Sequence, residues 1–207
     1  MNKLLPLFPL DIVLFPKMVL PLHIFEERYK KMIGECLRHK RPFGVLYAHN
    51  QTTERIGCLA GILKVLKQYD DGRMDLLTQG TGRFEALHFD TEASYPQGWT
   101  EPFVDRDGAP PPDLKAVDML LELHRETARI LKKNEADKIV ATPDYQGLSF
   151  QIASGFTLPK KVKQRVLEGN SETERVAILT TYFNENLPRL RRTSVAAKRS
   201  GSNGHVR

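Results

Sequence analysis

The run Leu5-Pro-Leu-Phe-Pro-Leu-Asp-Ile-Val-Leu-Phe-Pro-Lys-Met-Val-Leu-Pro-Leu-His-Ile-Phe-Glu-Glu-Arg-Tyr-Lys-Lys-Met-Ile33 decides how this chain folds. Pro6, Pro9, Pro16 and Pro21 interrupt an almost wholly apolar string. Each proline fixes φ, removes a backbone donor and pushes the residue before it into extended geometry, so the stretch predicts short strands joined by tight bends. Polarity changes at Glu26. From there Tyr29, Met32, Ile33, Cys36 and Leu37 recur at helical spacing, which predicts one amphipathic helix from about Glu26 to about Arg38. Glu26 and Glu27 suit its positive end, and Pro42 stops it.

Strand signals follow. Phe43–Ala48 is β-branched and aromatic, His49–Glu54 is polar and reads as a loop, and Gly57–Tyr69 and Arg73–Gln79 flank Asp70-Asp71-Gly72. Asp and Gly tolerate the positive φ of tight turns, so that pair reads as a hairpin. Gly80–Phe89 is a further strand, and Gly61, Gly80 and Gly82 mark bulges or bends that let a sheet curl. The first half is therefore a mainly antiparallel, curled β lobe with one early helix.

Between Tyr95 and Pro112 prolines and glycines accumulate, ending in Pro110-Pro111-Pro112. This is the expected lobe boundary. Asp113 is placed to cap a long helix reaching about Lys133, with Leu114, Val117, Leu121, Ala128 and Leu131 as its apolar stripe and Lys132 and Lys133 at its negative end. Pro159 suits a first helical turn, Gly169 a stop, and Ser171-Glu-Thr-Glu174 a capping box opening a last helix striped by Val176, Leu179, Phe183 and Leu187. The expected organisation is α+β: residues 1–109 a β-rich lobe, 110–190 a helical bundle, 191–207 a basic, frayed tail.

The formal charge of +6 is local. Arg189, Arg191, Arg192, Lys198, Arg199 and Arg207 account for all of it, and residues 1–188 sum to zero. A basic stripe across a folded face would indicate phosphate binding, whereas a terminal basic run reads first as a solvated tail and second as an RNA-binding arm. Cys36 and Cys58, the two cysteines, have no metal-ligand spacing, which suits a reducing, cytoplasmic setting. No signal peptide is evident, and no run of roughly 18 apolar residues predicts a membrane span.

Catalytic patterns are missing. The chain has no Gly-Lys pair, hence no Gly-x-x-x-x-Gly-Lys phosphate cradle. Gly147-Leu-Ser-Phe-Gln151 lacks the second glycine of a nucleophile elbow, so Ser149 reads as a packing or capping residue. His23, His39, His49, His88, His124 and His205 are scattered and form no metal-ligand pair. Glu26, Arg28 and Tyr29 read first as helix cap and core, and second as an ion pair and a phenol at a recognition surface. In the bend Asp11–Met18, the apolar Phe15, Pro16 and Met18 either pack inward or stay at an exposed edge, where they would contact polypeptide.

The pattern LPLFPL (residues 5–10), FP (15–16) and LPLHIFEERYKKMI (20–33) resembles the opening of the N-terminal, substrate-binding domain of the ATP-dependent Lon proteases. Leu148-Ser-Phe-Gln-Ile-Ala-Ser-Gly-Phe-Thr-Leu-Pro159 and Lys163-Gln-Arg-Val-Leu-Glu-Gly-Asn-Ser-Glu-Thr-Glu-Arg175 resemble its helical half. The resemblance implies a PUA-like β lobe followed by a helical bundle, and a protein that recognises polypeptide and does not cleave it. It also implies a free-standing member, because the ATPase and peptidase of full-length Lon lie downstream of this domain. The expected function is therefore a non-enzymatic module that binds unfolded or extended polypeptide, with Phe15, Pro16 and Met18 as contacts. A protease or chaperone is the expected partner, and no cofactor or metal is expected. The alternative is an RNA-binding PUA-like module using the basic tail.

Overall fold

The computed structural model describes residues 3–90, 92–131, 139 and 145–202. By its contacts the chain forms two compact units: Met1–Asp105 with Pro159–Glu168, and Arg106–Leu158 with Gly169–Arg207.

The first unit contains β1 (Lys3–Leu10), β2 (Val19–Ile24), α1 (Glu27–Arg38), β3 (Phe43–His49), β4 (Thr52–Thr53), β5 (Ile56–Gln68), β6 (Met74–Asp90), β7 (Gln97–Pro102) and α4 (Lys160–Glu168). Strand order is β1-β7-β6-β5-β3, and a parallel β1–β3 pairing joins the two ends, so the otherwise antiparallel sheet closes into a barrel. Proline placement makes this possible. β1 pairs with β7 over Lys3–Pro6 and with β3 over Leu7–Leu10, so Pro6 and Pro9 each lie in a half that is paired on one side only. That is where a residue without a donor is tolerated. The expected α1 stripe is found: Tyr29, Met32, Ile33 and Cys36 are buried, packing with Phe8, Phe43, Val45, Ala60 and Leu76.

Three details of this unit differ from the sequence reading. The expected loop His49–Glu54 turns through positive φ at Asn50 and Gln51, and Thr52–Thr53 pairs back onto Ala48 and His49. The strands expected on either side of Gly80 are one strand, β6, with a register shift where Gly80 and Gly82 oppose Ala60 and Leu59. Helix α4, expected in the helical lobe, belongs to this unit. Arg83 donates from Nη1 to the Leu167 carbonyl (2.7 Å), and Gln164 Nε2 donates to the Ile56 carbonyl (3.0 Å). These bonds span 84 and 108 residues of sequence, beyond the reach of any local pattern.

The second unit holds α2 (Leu114–Ile130), α3 (Leu148–Gly155) and α5 (Glu172–Ser202). The stripe Val176, Leu179, Phe183 and Leu187 on α5 is buried as expected. The α2 stripe is rotated from the expected one. Val117, Leu120, His124, Thr127 and Ala128 are buried, whereas Leu114 and Leu131 are exposed. Spacing of three and four residues along a packed seam outweighs side-chain hydrophobicity here, and the seam accepts a histidine and a threonine. Asp113 occupies the cap position of α2 but makes no side-chain capping bond. At α5 the serine half of the capping box forms, with Ser171 Oγ accepting from the Glu174 amide (3.1 Å), while the Glu174 carboxylate accepts from the Asn170 amide (2.8 Å), one residue before the cap. Helix α5 does not stop at Pro188 but continues to Ser202, through the region read as tail. Arg191 there makes a two-pronged contact with Glu126 at 2.7 and 2.8 Å. Lys132, Lys133 and residues 203–207 lie outside the described residues.

His124 packs edge-on against Phe156 (ring centroids 4.8 Å apart) and Phe183 (6.4 Å), with a buried Nδ1 that has no partner. Burial, and secondarily the charge of Arg125, lowers its pKa from 6.5 to about 4. Because the folded state resists a proton that the unfolded chain accepts, stability should fall as pH drops from 6.5 toward 4. The expected loss between pH 7.5 and 5 is about 2 kcal/mol. Urea midpoints at pH 7.5 and 5.0 measure this, and His124→Phe should flatten the slope. An equal slope in the variant would assign the effect to other groups.

Candidate functional site

The bend expected to contact polypeptide is built as a type II turn. Pro16 takes the position its fixed φ favours, Lys17 follows at φ 66°, and the Met18 amide donates to the Phe15 carbonyl at 3.1 Å. Gly80 pins the turn to β6: its carbonyl accepts from the Lys17 amide (2.7 Å) and its amide donates to the Met18 carbonyl (2.9 Å). Phe15 is 0% exposed and therefore a core residue, not a contact. Pro16 and Met18 are half-buried, with Met18 packed against the main core cluster. Of the two placements the sequence leaves open for Phe15, the inward one is found, so the expectation that Phe15 contacts polypeptide is corrected.

Exposed apolar surface with free backbone lies on β5 instead. β3 pairs with β5 only over Phe43–Val45 opposite Ala60–Cys58. From Gly61 to Gln68 the opposite edge of β5 pairs with β6, and no strand pairs with the edge that β3 vacates among the described residues. Two register shifts fall in this half, between Ile62 and Lys64 and between Val65 and Lys67. Each inserts one residue, and the inserted leucines are solvent-facing: Leu63 is 54% and Leu66 53% exposed. Ile62 and Val65 pack on the core beneath them. A bulged, lysine-bearing edge resists pairing with an identical edge yet leaves a short length open to a partner strand.

Where β3 departs, the edge opens into a cavity of about 480 Å³ lined by Cys36, Leu37, Lys40, Arg41, Pro42, Gly61, Ile62 and Thr81. Arg41 Nη2 donates to Glu35 (3.4 Å) and to the Tyr95 hydroxyl (3.2 Å), and Tyr95 in turn donates to Glu35 at 2.6 Å. Burial, then the adjacent Glu35 carboxylate, raises the Tyr95 phenol to about 12. The hydrogen bond it donates holds Glu35 below the usual carboxylate range. Burial likewise pushes the Cys36 thiol up, and that of Cys58 to about 12, so neither is a ready nucleophile.

The other candidates have structural surroundings. Ser149 is fully buried against Glu172 and Arg175. His23 Nδ1 lies 2.6 Å from Asp75, which also accepts from Tyr69 (2.8 Å), and the exposed Phe25 stacks on the His23 ring. Arg28 lies over the Tyr29 ring and pairs with Glu26, and Tyr29 is buried. Among the described residues no three His, Cys, Asp or Glu side chains converge as a metal site, and no helix is long and apolar enough to cross a membrane.

Residues 4–185 match the family model of the ATP-dependent protease La (LON) substrate-binding domain. The chain belongs to the LON substrate-binding domain family. Among its relatives, the Lon protease of Cytophaga hutchinsonii is 27% identical over 210 residues, 91% of this chain and 25% of that protein. The Lon protease of Anaeromyxobacter dehalogenans is 27% identical over 193 residues, 87% and 23% respectively. The chain thus spans about a quarter of the length of the curated relatives it matches. A Lon N-terminal domain protein from Xanthomonas campestris shares the fold at TM-score 0.65 and 23% identity, covering 87% of this chain and 98% of that one. The N-terminal domain of Mycobacterium avium complex Lon protease does so at 0.64 and 18%, covering 88% and 98%.

Leu63, Leu66, Lys40 and Arg41 were not singled out by the sequence reading. A signal was present: Ile62-Leu-Lys-Val-Leu-Lys67 repeats every three residues where a regular strand repeats every two. That is the mark of one inserted residue per repeat.

Proposed function

We propose that this LON substrate-binding family member is a non-enzymatic recognition module that holds extended or unfolded polypeptide and presents it to a protease or chaperone. The observation that carries this is the vacated edge of β5. Its backbone is open to strand addition, its inserted leucines offer apolar contact, and a cavity stands at its end. Main-chain pairing is tolerant of sequence, which suits a module that must hold many clients. Pro16 and Met18 flank β2 on the far side of β6 from this edge and are left as secondary contacts. In RNA binding by the basic segment, Arg191 would first have to release Glu126.

The test is peptide binding by fluorescence anisotropy with Leu63→Asp/Leu66→Asp. Both side chains are more than half exposed, so the melting temperature should stay within a few degrees of the parent, while affinity for an extended apolar peptide falls at least about tenfold. A folded double variant that binds as the parent does would remove β5 from the reading.

A further inference from the structure

The cavity at the start of the open β5 edge combines two chemistries. Leu37, Pro42 and Ile62 line it with apolar surface, while Lys40 and Arg41 bring two cations. Lys40 has no ion-pair partner among the described residues, and Arg41 Nε is buried without a hydrogen-bond acceptor even though Nη2 is engaged by Glu35 and Tyr95. Besides Glu35 and Tyr95 the guanidinium meets the Cys36 thiol, a weak acceptor, so Arg41 brings a donor for which the protein supplies no strong partner.

We propose that this cavity captures the C-terminal carboxylate of an extended polypeptide, whose last apolar side chain packs against Leu37 and Ile62 and whose preceding residues lie along β5. The proposal rests on the edge-binding reading and names which part of a client is held. Direction follows from topology. β3 begins at Phe43, opposite Ala60, and runs antiparallel to β5, so Arg41 and Pro42 stand just beyond Ala60 in line with the vacated edge. A chain ending there must arrive from Gln68 toward Ile62, antiparallel to β5 and in the same sense as β3. Antiparallel addition is the more stable of the two pairings. The occupant is a terminus because a final residue presents a carboxylate and an apolar side chain together, matching both linings. An internal aspartate or glutamate would satisfy the cations and leave the apolar wall uncovered. Charge-assisted bonds from arginine and lysine are also the strong kind.

Three N-terminally labelled nonapeptides of alternating Thr and Val ending in Leu test this by anisotropy: the free acid, the C-terminal amide, and the amide with Asp at the penultimate position. The free acid should bind about tenfold tighter than the amide, with added salt weakening only the acid. Lys40→Asn should bring the acid close to the amide, and Asn suits the left-handed backbone at this position (φ 49°). Equal binding of acid and amide by the parent protein, or full recovery by the Asp-containing amide, would overturn terminal capture. If acid and amide bind equally and both are lost in Leu63→Asp/Leu66→Asp, the edge stands and the capture falls. If no peptide binds, both fall.

Discussion

Glu172→Ala is expected to destabilise the helical unit by about 3–5 kcal/mol, the range for breaking a buried ion pair from one side. The Glu172 carboxylate, from the first turn of α5, accepts hydrogen bonds from the Ser149 amide (2.7 Å), the Ser149 hydroxyl (3.1 Å) and the Gly147 amide (3.3 Å), and so caps α3 from another helix. Arg175 completes the arrangement, donating to Glu172 (2.7 Å), to Ser149 Oγ (3.0 Å) and to the Gly169 carbonyl (3.0 Å), with its guanidinium over the Phe150 ring. Both charged side chains are buried. Removing the carboxylate takes from the buried Arg175 guanidinium its acceptor at 2.7 Å and from the start of α3 the acceptor of its Gly147 and Ser149 amides. Circular dichroism at 222 nm weights this unit, whereas fluorescence of Trp99, the single tryptophan, reports the barrel. Denaturant titrations should therefore shift far more by the first probe than by the second. Glu172→Ala/Arg175→Met should recover much of the loss, because an absent pair costs less than half of one. A single-variant loss below about 1 kcal/mol would show that the pair is not what seats α3.

Gly80→Ala should cost the barrel about 3 kcal/mol, at the upper end of overpacking penalties. A Cβ at this position would lie 2.1 Å from the Phe15 carbonyl oxygen, 2.9 Å from its carbonyl carbon and 3.0 Å from Cys58 Sγ. Backbone cannot swing aside as a side-chain tip can, and the two hydrogen bonds linking Gly80 to Lys17 and Met18 would be strained together. Gly82→Ala, two residues away with nothing within 4 Å of the added carbon, is the control and should change stability by less than about 0.5 kcal/mol. Trp99 fluorescence during denaturation is the readout. Equal midpoints for the two variants would mean that the Phe15 turn yields freely.

Sequence determined whatever rests on local periodicity and backbone chemistry. The prolines of residues 6–21 imposed extended segments, Tyr29 to Cys36 set the buried face of α1, Asp70-Asp71-Gly72 set the hairpin (Gly72 φ 82°), and Ser171 and Glu174 set the start of α5. Each acts within a few residues, so each could be read in order along the chain. What tertiary structure decided involves partners distant in sequence. It sent Phe15 inward against Gly80 and drew α4 to the barrel through Arg83 and Gln164. On α2 it selected His124 over the more apolar Leu114. The candidate site is of this second kind. A free strand edge exists only because β3 stops pairing at Ala60, and strand pairing is non-local, so no residue of β5 could announce on its own that its neighbour would leave.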